Sequence, residues 1–156
     1  MSLIKVTKEF VFDAAHRIPG HLGKCKNIHG HTYRVQVTVG MPLCEFKQSE
    51  GMVMDFGDLS QVVRPIIEAM DHALIISEDD EHLLSIVPEE QKRMIMHGPP
   101  TAENMAIDIG LGLEGFLASG RPGPQISLCS VRVWETPTSF AEYDGQVIQC
   151  QTCASQ

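Results

Sequence analysis

No stretch of this chain approaches the roughly 20 consecutive apolar residues that a bilayer-spanning helix needs, so a helical membrane protein is not expected. The opening residues Met1-Ser2-Leu3-Ile4-Lys5 lack the apolar core of a signal peptide, and the expected compartment is the cytoplasm. Basic excess is absent too. Twelve Lys and Arg stand against 20 Asp and Glu, a formal charge of −8, which argues against wholesale binding to nucleic acid or anionic membranes. A small anionic substrate remains compatible, because a few cations in one cleft can oppose the global field. There is no internal repeat, low-complexity tract or interdomain linker. The 156 residues are therefore expected to form one domain over 1–145, with 146–156 as a frayed polar tail. An odd count of five cysteines without a secretory signal suggests reduced thiols, not a disulfide framework.

What is present is alternation. From about Ile4 to Arg17, Phe10, Phe12, Ala14 and His16 alternate with Val11, Asp13 and Ala15, which predicts a strand. A Gly-rich turn, Pro19 to Asn27, leads to a second strand from Ile28 to Val39, with His29, His31, Tyr33, Val35 and Val37 on one face. Gly40 to Gly51 reads as a loop, and Met52-Val53-Met54 as a short third strand. Asp55 and Asp58 are placed to cap a helix whose apolar face carries Leu59, Val62, Val63, Ile66, Ile67 and Met70. Pro65 inside that run is expected to kink or shorten it. Ser77 to Pro100 reads as a long surface excursion with at most a short helix. Thr101 would cap a second helix with Met105, Ala106, Ile109, Leu113, Phe116 and Leu117 on its apolar face, weakened by Gly110, Gly112 and Gly115. After a turn at Gly120 to Pro124, a strand is expected over Ile126 to Thr136 and another over Ser139 to Tyr143. Strands grouped before helices argue α+β, with helices on one face of an antiparallel sheet.

His29-Gly30-His31 is the sharpest local feature. Residues i and i+2 of a strand share a face, so both imidazoles leave the chain in parallel, and Gly30 leaves room between them. His16 holds the matching place on the first strand. Pairing the two strands would bring three neutral nitrogens together, a set that suits Zn²⁺ with a fourth position open for substrate. Ordinary core or surface histidines would produce the same letters. Cys25, four residues upstream, would supply a thiolate as base or nucleophile beside such a site, or close the metal sphere as a fourth ligand. Asp71-His72 pairs a carboxylate with an imidazole that it can orient; a helix-end histidine beside a surface acid is the simpler alternative. Glu135 ends the last long strand, where its carboxylate would accept two hydrogen bonds from the amidine-like edge of a heterocycle or lie solvated. His21, His82 and His97 read as surface residues. The Cys150/Cys153 pair lacks the context of a redox or zinc motif.

Together, FDAAHR (Phe12 to Arg17), CKNIHGHTY (Cys25 to Tyr33), GMVMDFGDL (Gly51 to Leu59), MDHALI (Met70 to Ile75), PTAENMA (Pro100 to Ala106) and VRVWET (Val131 to Thr136) resemble the 6-pyruvoyl-tetrahydropterin synthase superfamily. They occur in family order from Lys8 to about Gly145. The resemblance implies zinc on His16, His29 and His31, and Cys25 as catalytic proton acceptor. It implies a relay of Asp71 and His72, Glu135 as anchor of the pterin and coupled to that relay, and Thr101 in contact with the pterin. It also implies the tunnelling fold, a four-stranded antiparallel sheet with two helices on one face. Such protomers assemble into oligomeric β-barrels, usually hexamers made of two trimers, with active sites at subunit boundaries.

The Cys-x-x-x-His-Gly-His spacing looks like the bacterial 6-carboxytetrahydropterin branch of the queuosine pathway, which acts on dihydroneopterin triphosphate. The pyruvoyl branch and a non-catalytic zinc- or pterin-binding protein are the alternatives. A zinc hydrolase is disfavoured because no HExxH-type base accompanies the histidines. Arg17, Lys24 and Lys26 are candidate phosphate ligands by proximity. The segment from Ser77 to Pro100 is the departure from the short bacterial pattern.

Overall fold

The computed structural model describes residues 2–49, 51–119 and 126–145. The chain opens with two long strands, β1 (Leu3–His16) and β2 (His29–Pro42), paired antiparallel along their whole length from Leu3 with Pro42 to His16 with His29. A 3-10 turn, Lys24–Lys26, lies in their connection. Then follow α1 (Leu43–Phe46), α2 (Phe56–Met70), β3 (Ala73–Ser77), α3 (Glu81–Ile86), β4 (Arg93–Met96), α4 (Ala102–Ala118), β5 (Ser127–Thr136) and β6 (Ser139–Asp144).

The result is α+β, but the sheet has six strands in the order β4-β3-β1-β2-β5-β6. The expected four-stranded antiparallel sheet is thus corrected. β1, β2, β5 and β6 pair antiparallel, and β3 and β4 add to the β1 edge in parallel. The excursion after Ser77 carries α3 and β4, which with β3 make a β3-α3-β4 unit. β3 escapes sequence reading because Ala73 to Ser77 is buried on both faces, so its apolar run shows no period-2 alternation. Conversely, Met52 to Met54 joins no ladder. Val53 and Met54 are buried in irregular chain, so three alternating letters were too few to mark a strand. The predicted loop from Gly40 is also shorter than expected, since β2 runs to Pro42 and Leu43–Phe46 makes one helical turn.

One sheet face carries Phe12, Ala14, Tyr33, Val35, Val37, Val131 and Val133, buried against Leu59, Val63, Ile67 and Met70 of α2 and Met105, Ile109 and Leu113 of α4. Each Val, Leu, Ile, Phe or Met among them contributes about 1.5–3 kcal/mol on burial. α3 packs on the opposite face, where Leu83 joins Leu74 and Ile76 with Ala15 at their side. Helices therefore occupy both faces at this edge, a second correction to two helices on one face.

Asp55 caps α2 through the Gly57 amide at 2.6 Å, and Thr101 caps α4 through the Asn104 amide at 3.3 Å. α2 continues through Pro65 to Met70. The carbonyl that Pro65 deprives of a donor belongs to Gln61, an exposed residue that water can satisfy. In α4, Phe116 is 38% exposed and leaves the predicted apolar face, while Gly110 joins the buried one. No helix among the described residues is long and apolar enough to cross a membrane. The predicted turn at 120–124 and the tail at 146–156 lie outside the described residues. Cys25 and Cys129 are free thiols, whereas Cys44 is disulfide-bonded, contrary to the expectation of reduced thiols throughout.

The glycines of α4 are not equivalent. A Cβ on Gly110 would stand 2.2 Å from Cδ1 of Tyr143, whose ring β6 lays across the helix, whereas a Cβ on Gly115 meets nothing within 4 Å. Gly110→Ala is expected to destabilise by about 1–3 kcal/mol through overpacking. Gly115→Ala should stabilise by about 0.5–1 kcal/mol by restricting the unfolded chain. Thermal melts of both variants test this; equal melting temperatures would mean that the Tyr143 ring does not press on the helix.

Candidate metal centre and its surroundings

The β1–β2 register builds the site. His16 lies directly across from His29, and His31 pairs with Ala14, two positions along the same face. Ring centroids are 4.6 Å apart for His16 and His29, 5.2 Å for His16 and His31, and 4.9 Å for His29 and His31. One nitrogen from each ring lies within 4.8 Å of the other two, a set that can hold a metal ion.

Two backbone carbonyls orient the rings. His16 Nδ1–H donates to the Pro100 oxygen at 2.6 Å, and His29 Nδ1–H donates to the Asn27 oxygen at 2.8 Å. In the neutral ring such a bond puts the lone pair on Nε2, the arrangement of metal-binding imidazoles. His16 is fully buried, and burial holds its pKa below the ordinary value against the opposing pull of the Pro100 bond and Glu135. Burial thus favours the neutral ring, the form that can donate a lone pair to a metal. His31 Nε2 is buried yet has no hydrogen-bond partner among the described residues. A buried ring nitrogen without a partner is costly, and in the tautomer that puts the lone pair there a cation would satisfy it. Three imidazole nitrogens fit Zn²⁺ in an open, three-ligand arrangement.

Other groups face the cluster. Glu135 reaches over from β5, with Oε1 3.4 Å from His16 Nε2 and 3.8 Å from His31 Nε2. Tyr33 stacks on Phe12 at 4.9 Å and brings its hydroxyl to 3.3 Å from His16 Nε2. Burial first, then the charges of Glu135 and Cys25, hold the Tyr33 phenol far above its ordinary range, so it remains a hydroxyl. Cys25 is a half-buried free thiol in the 3-10 turn, and its carbonyl accepts from the Ile18 amide at 2.8 Å, which ties that turn to the end of β1. The converging set of ligand atoms does not include Cys25. Thr101 follows the Pro100 carbonyl that holds His16, and its Oγ1 accepts from the Asn104 amide.

Asp71 and His72 form a pair of their own. His72 Nδ1 lies 3.0 Å from Asp71 Oδ2, and Asp71 Oδ1 accepts from the Asp13 amide at 3.0 Å. The Asp13 N–H, then the His72 hydrogen bond, hold the Asp71 carboxyl below its usual pKa. His72 makes none of the ring contacts that join the three histidines. It lines an open cavity of about 470 Å³ with Asp13, Ala15, Thr32, Leu74 and Gln91, bordered by Gly30 and His31. By strand alternation Asp13, Ala15, Thr32 and Leu74 project from the face opposite to His16, His29 and His31. The structure therefore brings together His16, His29, His31, Tyr33 and Glu135, and places the Asp71–His72 pair on the other side of the sheet.

Among the phosphate candidates, Arg17 is engaged. Its Nε and Nη2 grip both oxygens of buried Asp80, at 2.7 and 2.5 Å. Lys24 and Lys26 stay exposed in the turn. Sequence reading did not single out Tyr33, although its position two residues past His31 on the same face was the available signal. The Pro100 and Asn27 carbonyls carry no signal at all, since every residue has one.

A profile described as 6-pyruvoyl tetrahydropterin synthase matches residues 5–146. A Haemophilus influenzae protein named 6-carboxy-5,6,7,8-tetrahydropterin synthase is 41% identical over 146 residues, covering 90% of this chain and 99% of that one. A Synechocystis protein of the same name is 38% identical over 140 residues, covering 88% and 91%. The solved 6-pyruvoyl tetrahydropterin synthase of Caenorhabditis elegans superposes with a TM-score of 0.63 at 24% identity, covering 94% and 98%, and shares the fold.

Two outcomes follow. After zinc loading and desalting, the parent should retain about one ion per chain, and His31→Ala should lose most of it as one of only three ligands is removed; metal analysis that finds undiminished zinc would exclude His31 from the centre. His72 has φ 55°, a left-handed conformation that costs a side chain about 1 kcal/mol and glycine nothing. With its ring largely exposed, His72→Gly should melt a few degrees higher, and a lower melting point would show that the ring itself supports the fold.

Proposed function

The chain belongs to the 6-pyruvoyl tetrahydropterin synthase family, and we propose that it is a zinc-dependent carbon–carbon lyase. In this reading residues 1–145 are the catalytic unit. They convert 7,8-dihydroneopterin triphosphate and water to 6-carboxy-5,6,7,8-tetrahydropterin, acetaldehyde and triphosphate. The observation that carries it is the trihistidine cluster with its orphaned His31 Nε2, set beside the carboxylate of Glu135. The names of the Haemophilus and Synechocystis relatives support the carboxy product over the pyruvoyl one.

His16, His29 and His31 hold the zinc. When bound, it supplies Lewis-acid polarisation of the side-chain hydroxyls of the substrate. Glu135 accepts two hydrogen bonds from the amidine-like edge of the pterin and fixes its orientation. Tyr33 stays neutral and braces His16. Cys25 thiolate takes the proton from the first side-chain carbon. Redistributing protons between side chain and ring reduces the dihydropterin to the tetrahydro level while that carbon is oxidised, so no nicotinamide is required. Breaking the bond between the first and second side-chain carbons leaves the carboxyl on the ring and releases the other two carbons as acetaldehyde. Lys24 and Lys26 are the exposed cations nearest in sequence to Cys25 for the triphosphate.

Asp71 and His72 complete the relay from a second copy. Their placement across the sheet from the trihistidine cluster supports active sites at subunit boundaries, in a homohexamer of two trimers whose sheets close into a barrel. The setting is queuosine-precursor synthesis in the cytoplasm.

Incubating the zinc-loaded protein with dihydroneopterin triphosphate should release acetaldehyde and a carboxypterin of matching mass. Triphosphate without acetaldehyde would assign the pyruvoyl reaction instead. Cys25→Ala should keep its zinc and lose at least about a hundredfold in turnover, as removal of a general base does. Loss of zinc in that variant would make the cysteine a ligand.

A further inference from the structure

The β3-α3-β4 unit sends one side chain back to the Asp71–His72 pair. Lys92 lies just before β4. Its carbonyl accepts from the Leu74 amide at 3.0 Å, which seats it beside the start of β3. Its Nζ donates to the Glu68 carbonyl at 2.6 Å and to the Asp71 carbonyl at 2.5 Å.

Both acceptors lie at the C-terminal end of α2, where carbonyls lose their intrahelical donors. The Glu68 carbonyl would ordinarily take the His72 amide, four residues on. That amide instead donates to the Asp13 carbonyl at 2.6 Å, and Lys92 supplies the missing donor. A cation there also opposes the negative end of the helix dipole.

The Asp71 carbonyl and the His72 amide belong to one planar peptide unit. Lys92 grips its oxygen and Asp13 grips its N–H. Rotation of that peptide would carry His72 out of its left-handed conformation and swing the imidazole off the Asp71 carboxylate.

We propose that Lys92 is a positioning residue for the Asp71–His72 relay, locking the peptide between them so that the ring stays on the carboxylate. The β3-α3-β4 unit thereby serves the relay. The inference rests on the relay reading above, and the test separates the two.

Zinc-loaded Lys92→Met, Lys92→Arg and His72→Ala are compared with the parent in steady-state kinetics on dihydroneopterin triphosphate. Lys92→Met should lose about tenfold in kcat, as displaced catalytic groups do, with KM within about twofold. Lys92→Arg should recover most of that loss. Nitrogen-15 shifts of the His72 ring should show one tautomer in the parent and a mixture in folded Lys92→Met. Lys92→Gln, which keeps a donor without charge, replaces it if it does not fold. Parental kcat and an unchanged tautomer in Lys92→Met, alongside an inactive His72→Ala, would overturn the role of Lys92 alone. Parental turnover in His72→Ala would remove the relay and the positioning role together.

Discussion

Fourteen residues of β1 pair with fourteen of β2 without a break, and that register constrains everything near the site. A slip by one residue would turn every side chain of a strand to the other face. It would expose Tyr33, Val35 and Val37 and scatter the histidines. The apolar face packed under α2 and α4 therefore holds the three histidines together as firmly as it holds the sheet. The histidines end a core ladder, just past Phe12 and Tyr33, where Glu135 of β5 comes over the rings.

The same strand pair separates two groups of polar side chains. Its core-side face bears His16, His29 and His31, while its other face, with Asp13 and Thr32, borders the cavity lined by His72. Asp13 works through its backbone. Its amide holds the Asp71 carboxylate and its carbonyl takes the His72 amide, so the pair is fixed to β1 although it belongs to the end of α2. A protomer built this way carries the three histidines on one side of the sheet and the Asp71–His72 pair on the other.

The parallel edge completes that frame. β3 and β4 extend the sheet beyond β1, α3 covers Leu74 and Ile76, and Asp80 joins the cap of α3 to Arg17 at the end of β1. An Arg17 held bidentate by a buried carboxylate is a structural tie, which removes it from the candidates for anion binding despite its closeness in sequence to the histidines.

The strands β1, β2, β5 and β6, the two long helices and the convergence of His16, His29 and His31 were legible in the sequence. Each repeats with a period that burial on one face imposes, and i, i+2 spacing is enough to place two imidazoles side by side. β3 and β4 were not legible, because a strand buried on both faces has no alternation and a four-residue edge strand has too little. Only tertiary structure decided that Asp71 and His72 sit across the sheet from Glu135, that Arg17 is bound to Asp80, and that the carbonyls of Pro100 and Asn27 set the histidine tautomers. Those are contacts between segments far apart in the chain or with the backbone, and neither leaves a pattern in the order of side chains.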